Sequence, residues 1–226
     1  MGSLSPYIGN LSFIRVILLS NSTIGGQIVD EVGHLLRLRE LSLSNNSFQG
    51  EIPANLSHCS NIKILRAGFN DLSGSIPKEL ASLSKLEFLA LSTNNLRGGI
   101  PPFIGSFSSL QLFSASINVF GGHIPEALGQ LKSLNFLSLY DNKLSGLIPL
   151  SLYNLSSIIE LDLSKNNLKG KIPAFIGNLS SLQSLCVYNN VLGGHIPDTL
   201  GQLRSLTVLG LGGNKLSGLI DRKSVV

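Results

Sequence analysis

The chain has no tryptophan, one methionine, two cysteines and only 6% aromatic residues in 226 positions. So few rings leave little material for a base-stacking platform. Its net charge is +4, with Lys and Arg dispersed, whereas nucleic-acid binders usually cluster a basic face. A nucleic-acid partner is therefore not expected. Two cysteines are too few for a disulfide framework, and nothing has the ligand spacing of a zinc site.

Charge itself is scarce, at 13% of residues, about half the usual share of a soluble domain. Residues 98–125 contain no Asp, Glu, Lys or Arg. A spanning helix needs about 20 mostly apolar residues, and this run is broken throughout by Gly, Pro, Ser and Asn. No membrane insertion by this chain is expected. The start, MGSLSPYIGN, has neither a basic beginning nor an apolar stretch, so it does not read as a signal peptide. Pro6 stands where N-myristoylation wants Ser or Thr.

What is present is regular. Hydrophobic residues make up 43% of the chain, enough for a sizeable core. With Leu35 as position 1, apolar residues fall at Leu35, Leu38, Leu41, Leu43, Phe48, Ile52 and Leu56. Adding 24 gives Cys59, Ile62, Leu65, Ala67, Leu72, Ile76 and Leu80. Nine units of 24 residues follow without insertion, beginning at residues 11, 35, 59, 83, 107, 131, 155, 179 and 203. Position 12 is Asn46, Asn70, Asn94, Asn118, Asn142, Asn166, Asn190 and Asn214, with Ser22 the exception. Position 16 is glycine in all nine units, and position 19 is proline except at Val29 and Asp221. Residues 1–10 read as the back half of a preceding unit, 11–220 as the repeat domain with its last unit incomplete in pattern, and 221–226 as a non-repeat tail.

The pattern LxxLxxLxLxxNxLxGxIPxxLxxL is that of a leucine-rich repeat, and its GxIP half resembles the plant-specific subtype. It predicts an α/β-type repeat solenoid, a right-handed superhelix with a parallel sheet along its concave side. The L-x-L core of each unit suits a strand with one buried face, which only stacking of neighbouring units can bury. An Asn after the strand can both donate and accept, and so can satisfy the backbone of a buried turn. Glycine permits a positive φ, and proline ends a strand by removing a donor.

Positions 6, 8 and 10 should face outward from the concave sheet, with 11 and 13 at its border. The candidate binding residues there are Arg66, Phe69, Asp71, Phe88, Phe136, Tyr140, Asp141, Glu160, Asp162, Lys165 and Tyr188. Aromatics dominate binding hot spots, and isolated surface aromatics are also common; both readings stay open. Cys59 falls inward and Cys186 outward, five units apart. At about 4.8 Å per strand that is ~24 Å, too far for a disulfide. Sequons occur at Asn10, Asn21, Asn45, Asn55, Asn154 and Asn178. They mark a glycosylated chain or merely reflect a template rich in Asn and Ser. Catalysis needs a convergent constellation. His34, His58, His123 and His195 are instead spread along the solenoid, and the GLGGNK run lacks phosphate-loop spacing. Neither an enzyme nor a cofactor is expected.

The stretches SPYIGNLSFIRVILLSNSTIGGQI, ANLSHCSNIKIL and GNLSSLQSL resemble the ectodomains of plant leucine-rich-repeat receptor-like kinases, in particular the immune-receptor subfamily. The resemblance implies an extracellular module that binds a peptide or protein, with a co-receptor ectodomain as a further partner. It places the parent at the extracellular face of the plasma membrane, with a signal peptide, a membrane span and a Ser/Thr kinase that this chain lacks. Some relatives use paired arginines on the concave face; Arg66 has no such partner in this pattern. The alternatives are a secreted inhibitor of pathogen cell-wall enzymes, which shares the repeat, and an inert truncated gene product.

Overall fold

Leucines at alternate positions make one short strand in every unit. In the computed structural model, which describes Gly2–Ser217, these strands are Val16–Leu18, Glu40–Ser42, Ile64–Arg66, Phe88–Ala90, Leu112–Ser114, Phe136–Ser138, Glu160–Asp162, Ser184–Cys186 and Val208–Gly210. They occupy positions 6 to 8, where the 24-residue phasing predicts them. They pair in parallel and in chain order as one nine-stranded sheet. The register matches unit to unit, with Leu112 opposite Phe136 and Phe136 opposite Glu160. This sheet lines the concave side of the solenoid.

A second set of short strands, such as Val119–His123 and Lys143–Leu147, forms parallel sheets of four and six strands. Two backbone bonds of 2.7 Å join them, from Asn95 N–H to Leu72 C=O and from Arg97 N–H to Gly74 C=O. The chain returns through five-residue 3₁₀ helices, such as Ala54–His58 and Lys78–Ser82. No α-helix occurs among the described residues. Proline precedes seven of the 3₁₀ helices, from Pro53 to Pro197. Its fixed φ suits a helix entry, where its missing N–H costs nothing. Gly218, the break at Asp221 and the tail 221–226 lie outside the described residues.

The seven apolar positions of a unit point into a single core that runs the length of the stack. Leu35, Leu38, Leu41, Leu43, Phe48, Ile52 and Leu56 are all buried. At about 25 cal/mol per Å² of apolar area, each such side chain contributes roughly 1.5–3 kcal/mol.

The asparagine column stitches the units together. Asn118 Oδ1 accepts from Leu96 N–H at 3.0 Å, and its Nδ2 donates to Leu91 C=O at 3.1 Å. The same Nδ2 also meets Ala115 and Ser116 carbonyls in its own unit. Asn46, Asn70, Asn94, Asn142, Asn166, Asn190 and Asn214 repeat this arrangement. Buried turn amides and carbonyls that would otherwise lack partners are thus satisfied across each unit boundary.

Candidate ligand-binding face

The position-11 residue, which precedes each of these asparagines and, in unit 1, Ser22, turns the chain inward with a left-handed backbone. Asn21, Asn45, Phe69, Thr93, Ile117, Asp141, Lys165 and Asn189 have φ between 49° and 58°, and Gly213 has 66°. Phe69, Asp141 and Lys165 therefore stand on a shelf at the edge of the concave sheet. Arg66, Phe88, Phe136, Glu160 and Asp162 lie on its strands, and Tyr140 and Tyr188 lie two residues beyond. Asp71 belongs elsewhere, on the strand Asp71–Ser73 of the second sheet. Bulky residues with positive φ are uncommon; Phe69 and Ile117 keep theirs while exposing 58% and 46% of their surface.

The concave charges fall into two groups. In units 2 to 4, Arg66 Nη1 meets Glu40 Oε1 at 2.5 Å, and its guanidinium carbon lies 5.9 Å from the Phe88 ring centre. Lys63 pairs with Glu87 at 2.6 Å. These charges are neutralised within the chain.

Units 6 to 8 are organised differently. The Tyr140 and Tyr188 rings come from positions two units apart, yet their centres are 6.2 Å apart with a 54° tilt. Between them in sequence register stands Ser164, which is fully buried and whose Oγ has no hydrogen-bond partner among the described residues. Lys165 Nζ sits 4.9 Å from the Tyr140 ring centre and 3.5 Å from Asp141 Oδ2. Contact with Tyr140, and then the Asp141 charge, push the lysine pKa up. Glu160 is exposed and Asp162 half-buried, and neither has an ion-pair partner among the described residues. Among the described residues Asp162 Oδ1 accepts from Ser164 N–H alone, at 2.9 Å. Partial burial pushes the Cys186 thiol up, and the charges of Asp162 and Glu160 push it further. Tyr188 is raised by burial, by its contact with Tyr140 and by Asp162.

Both cysteines are free. Cys59 is buried with its Sγ 3.2 Å from Val32 C=O, and burial raises its pKa to about 11. Among the sequons, Asn55 is half-buried, while Asn10, Asn21, Asn45, Asn154 and Asn178 are exposed. Asn45 Nδ2 donates to Asn21 Oδ1 at 2.8 Å across the shelf. Among the described residues no cluster of His, Cys, Asp and Glu has the arrangement of a metal site, and no helix is long and apolar enough to cross a membrane. A groove of about 740 Å³ runs between the second-sheet strands and 3₁₀ helices of units 1 to 3, past Gln27, Asp30, Glu51 and Glu79. It holds no aromatic side chain, so the concave face carries the stronger recognition chemistry.

Sequence reasoning missed three features: the left-handed shelf, the cis pairing of Arg66 with Glu40, and the leaning together of two tyrosines across the row of Ser164. The shelf had a signal, because position 11 is Asn, Asp or Gly in five of nine units, the residues that tolerate this backbone best.

The Leucine Rich Repeat family profile matches residues 37–59, 85–107, 133–155, 157–179 and 181–203. No curated protein sequence matches the chain. Among solved structures, the plant peptide hormone receptor RGFR1 in complex with RGF2 superposes with a TM-score of 0.94 at 34% identity, over 96% of this chain and 35% of that one. The ectodomain of the Arabidopsis receptor kinase HAESA, in complex with an extended IDA peptide hormone, gives 0.93 at 38% identity, over 96% and 36%. A plant ice-binding protein gives 0.86 at 26% identity, over 96% and 70%. The chain thus spans about a third of the receptor ectodomains it matches. With unit-to-unit register, asparagine column and profile in agreement, the chain belongs to the leucine-rich repeat family, in the form carried by plant receptor-kinase ectodomains.

Proposed function

We propose that this chain is the recognition part of a plant receptor-like kinase, displayed at the extracellular face of the plasma membrane as part of a longer protein. It binds an extended peptide or a protein surface along the concave sheet of units 3 to 8. The observation that carries this reading is the gathering of Phe88, Phe136, Tyr140 and Tyr188, interleaved with charged residues, on one face of a rigid sheet. The likeness to peptide-hormone complexes of RGFR1 and HAESA supports it. A co-receptor ectodomain is a natural second partner, since HAESA has also been solved with IDA and the co-receptor SERK1. Signalling in defence is the finer reading, and it rests on the resemblance of the repeats alone. Glycans on Asn21 and Asn45 would shield units 1 and 2 and leave the aromatic stretch open.

The test is capture of apoplastic peptides on the immobilised ectodomain, with identification by mass spectrometry. A retained peptide should lose about thirtyfold in affinity, ~2 kcal/mol, when Phe136, Tyr140 and Tyr188 are all changed to Ala. If the folded triple variant binds it unchanged, the concave face is not the site, and the groove past Glu51 takes its place.

A further inference from the structure

On the concave sheet, a serine at position 10 bonds to position 8 of the next unit wherever that residue is also serine. Ser20, Ser92 and Ser116 each meet the position-8 serine of the next unit, with Oγ to Oγ distances of 3.1, 2.6 and 2.6 Å to Ser42, Ser114 and Ser138. Ser164 is the same position in unit 7, but Cys186 stands where its serine partner would be. Sulfur is a weak hydrogen-bonding atom, and the Ser164 Oγ is left without a partner among the described residues in a fully buried place. Its neighbour Leu163 points into the core, so by alternation Ser164 faces the concave side, in the unit between Tyr140 and Tyr188 and at the same repeat position. A buried hydroxyl without a partner is costly and marks where a donor would be welcome.

The same position also offers no cation. Glu40 and Glu160 occupy the same position of their units. Glu40 is answered by Arg66 at position 8 of the next unit, whose guanidinium also lies against Phe88. For Glu160 that place is again Cys186, too short and uncharged to answer it. Units 2 to 4 thus hold in cis a position-6 carboxylate, a guanidinium and an aromatic ring; the corresponding places of units 7 to 9 are Glu160, Cys186 and Val208, so only the carboxylate is kept and a ring comes instead from the preceding unit. Phe136 lies directly across the strand from Glu160.

We propose that Glu160 and Asp162, with Tyr140 and Tyr188 in the units flanking Ser164, form a subsite for the guanidinium of an arginine side chain carried by an extended peptide ligand. The proposal rests on the peptide-recognition reading above and adds the chemistry of one ligand residue. Two strand spacings separate the tyrosine backbones by about 9.6 Å, so rings 6.2 Å apart are leaning together. A planar guanidinium needs about 3.5 Å to each face, or roughly 7 Å between rings. A small rotation toward parallel therefore admits it. Its N–H groups then reach the Ser164 hydroxyl and the Asp162 carboxylate, while Glu160 balances its charge. Arginine fits better than lysine because it is planar, weakly hydrated and carries five donors in a fixed fork. Lys165 Nζ lies 4.9 Å from the Tyr140 ring centre and pairs with Asp141, which leaves Glu160 and Asp162 without an ion-pair partner among the described residues.

The test uses ring-labelled tyrosine and the tripeptide acetyl-Gly-Arg-Gly-amide, against its isosteric, uncharged citrulline analogue. The four tyrosines are Tyr7, Tyr140, Tyr153 and Tyr188, so Tyr7 and Tyr153 serve as internal controls. The arginine peptide should shift Tyr140 and Tyr188 alone, saturating with a Kd on the order of 1 mM. Citrulline should bind about tenfold more weakly, as should arginine to the Glu160→Gln, Asp162→Asn double variant. Glu40→Gln should change nothing. Equal shifts with arginine and citrulline, shifts at Tyr7 as large as those at Tyr140, or no saturable shift would each overturn the subsite. If the double variant does not fold, the arginine–citrulline comparison on the unaltered chain still decides. A saturable, arginine-selective response together with failed peptide capture would overturn the receptor reading and keep the subsite; the reverse pair of results would do the opposite.

Discussion

Positions 11 and 16 of the repeat share a positive φ and differ in almost everything else. Position 16 is glycine in every unit, with φ from 75° to 90° where described. Position 11 is glycine once and is otherwise Asn, Phe, Thr, Ile, Asp or Lys, with φ near 55°. The favourable left-handed basin for residues with a Cβ ends near 70°. Position 11 lies inside it and tolerates any side chain at a cost; position 16 lies beyond it and does not. The lesson is that one turn of the repeat is fixed by backbone geometry, while the other is open to variation at the rim of the candidate binding face. What the position-11 turn achieves is to deliver the next residue, the column asparagine, into the core.

The most damaging break is therefore at position 12. Asn118→Ala leaves Leu96 N–H and the Leu91, Ala115 and Ser116 carbonyls without their side-chain partner. We expect a loss of about 3 kcal/mol in urea unfolding; a loss under ~1 kcal/mol would mean that water replaces the asparagine. Next comes Gly98→Ala. Its φ is 84°, and an added Cβ would meet only Ser75 Cβ at an ordinary 3.6 Å, so backbone strain acts alone. The expected cost is about 1.5 kcal/mol, and an unchanged urea midpoint would refute the proposed boundary between the two columns. The smallest effect has the opposite sign. Ile117→Asn should stabilise the chain by about 1 kcal/mol, because asparagine tolerates the left-handed basin better than a β-branched residue. If the midpoint falls instead, the exposed Ile117 side chain contributes packing that outweighs its strain.

The legible part of this protein was whatever repeats. Leu41 and Leu43 announce a strand with one buried face, and every copy 24 residues later repeats the announcement, so all nine concave strands could be placed by phase alone. Asn46 and its successors had to face a turn, and a side chain that both donates and accepts is what such a turn requires. The binding face was legible only as a set of positions. Phe88, Phe136, Tyr140, Glu160 and Asp162 could be placed near the concave sheet, but not paired, and Asp71 was grouped with them although it lies on the second sheet.

The sequence by itself determined the period, the strand phase, the inward and outward sides of each strand and the asparagine column. Each depends only on a unit meeting copies of itself, so local pattern and geometry coincide. Tertiary structure decided which side chains meet across units. Arg66 reaches back 26 residues to Glu40, although Glu87 is nearer in sequence. Tyr140 and Tyr188 lean together across the row of Ser164, whose side chain is small, and Gly210 leaves room beside Tyr188, where a Cβ would come within 3.2 Å of its ring. Such choices turn on rotamers, side-chain lengths and the size of neighbours in adjacent units. A one-dimensional period carries none of these, because they are the places where the copies differ.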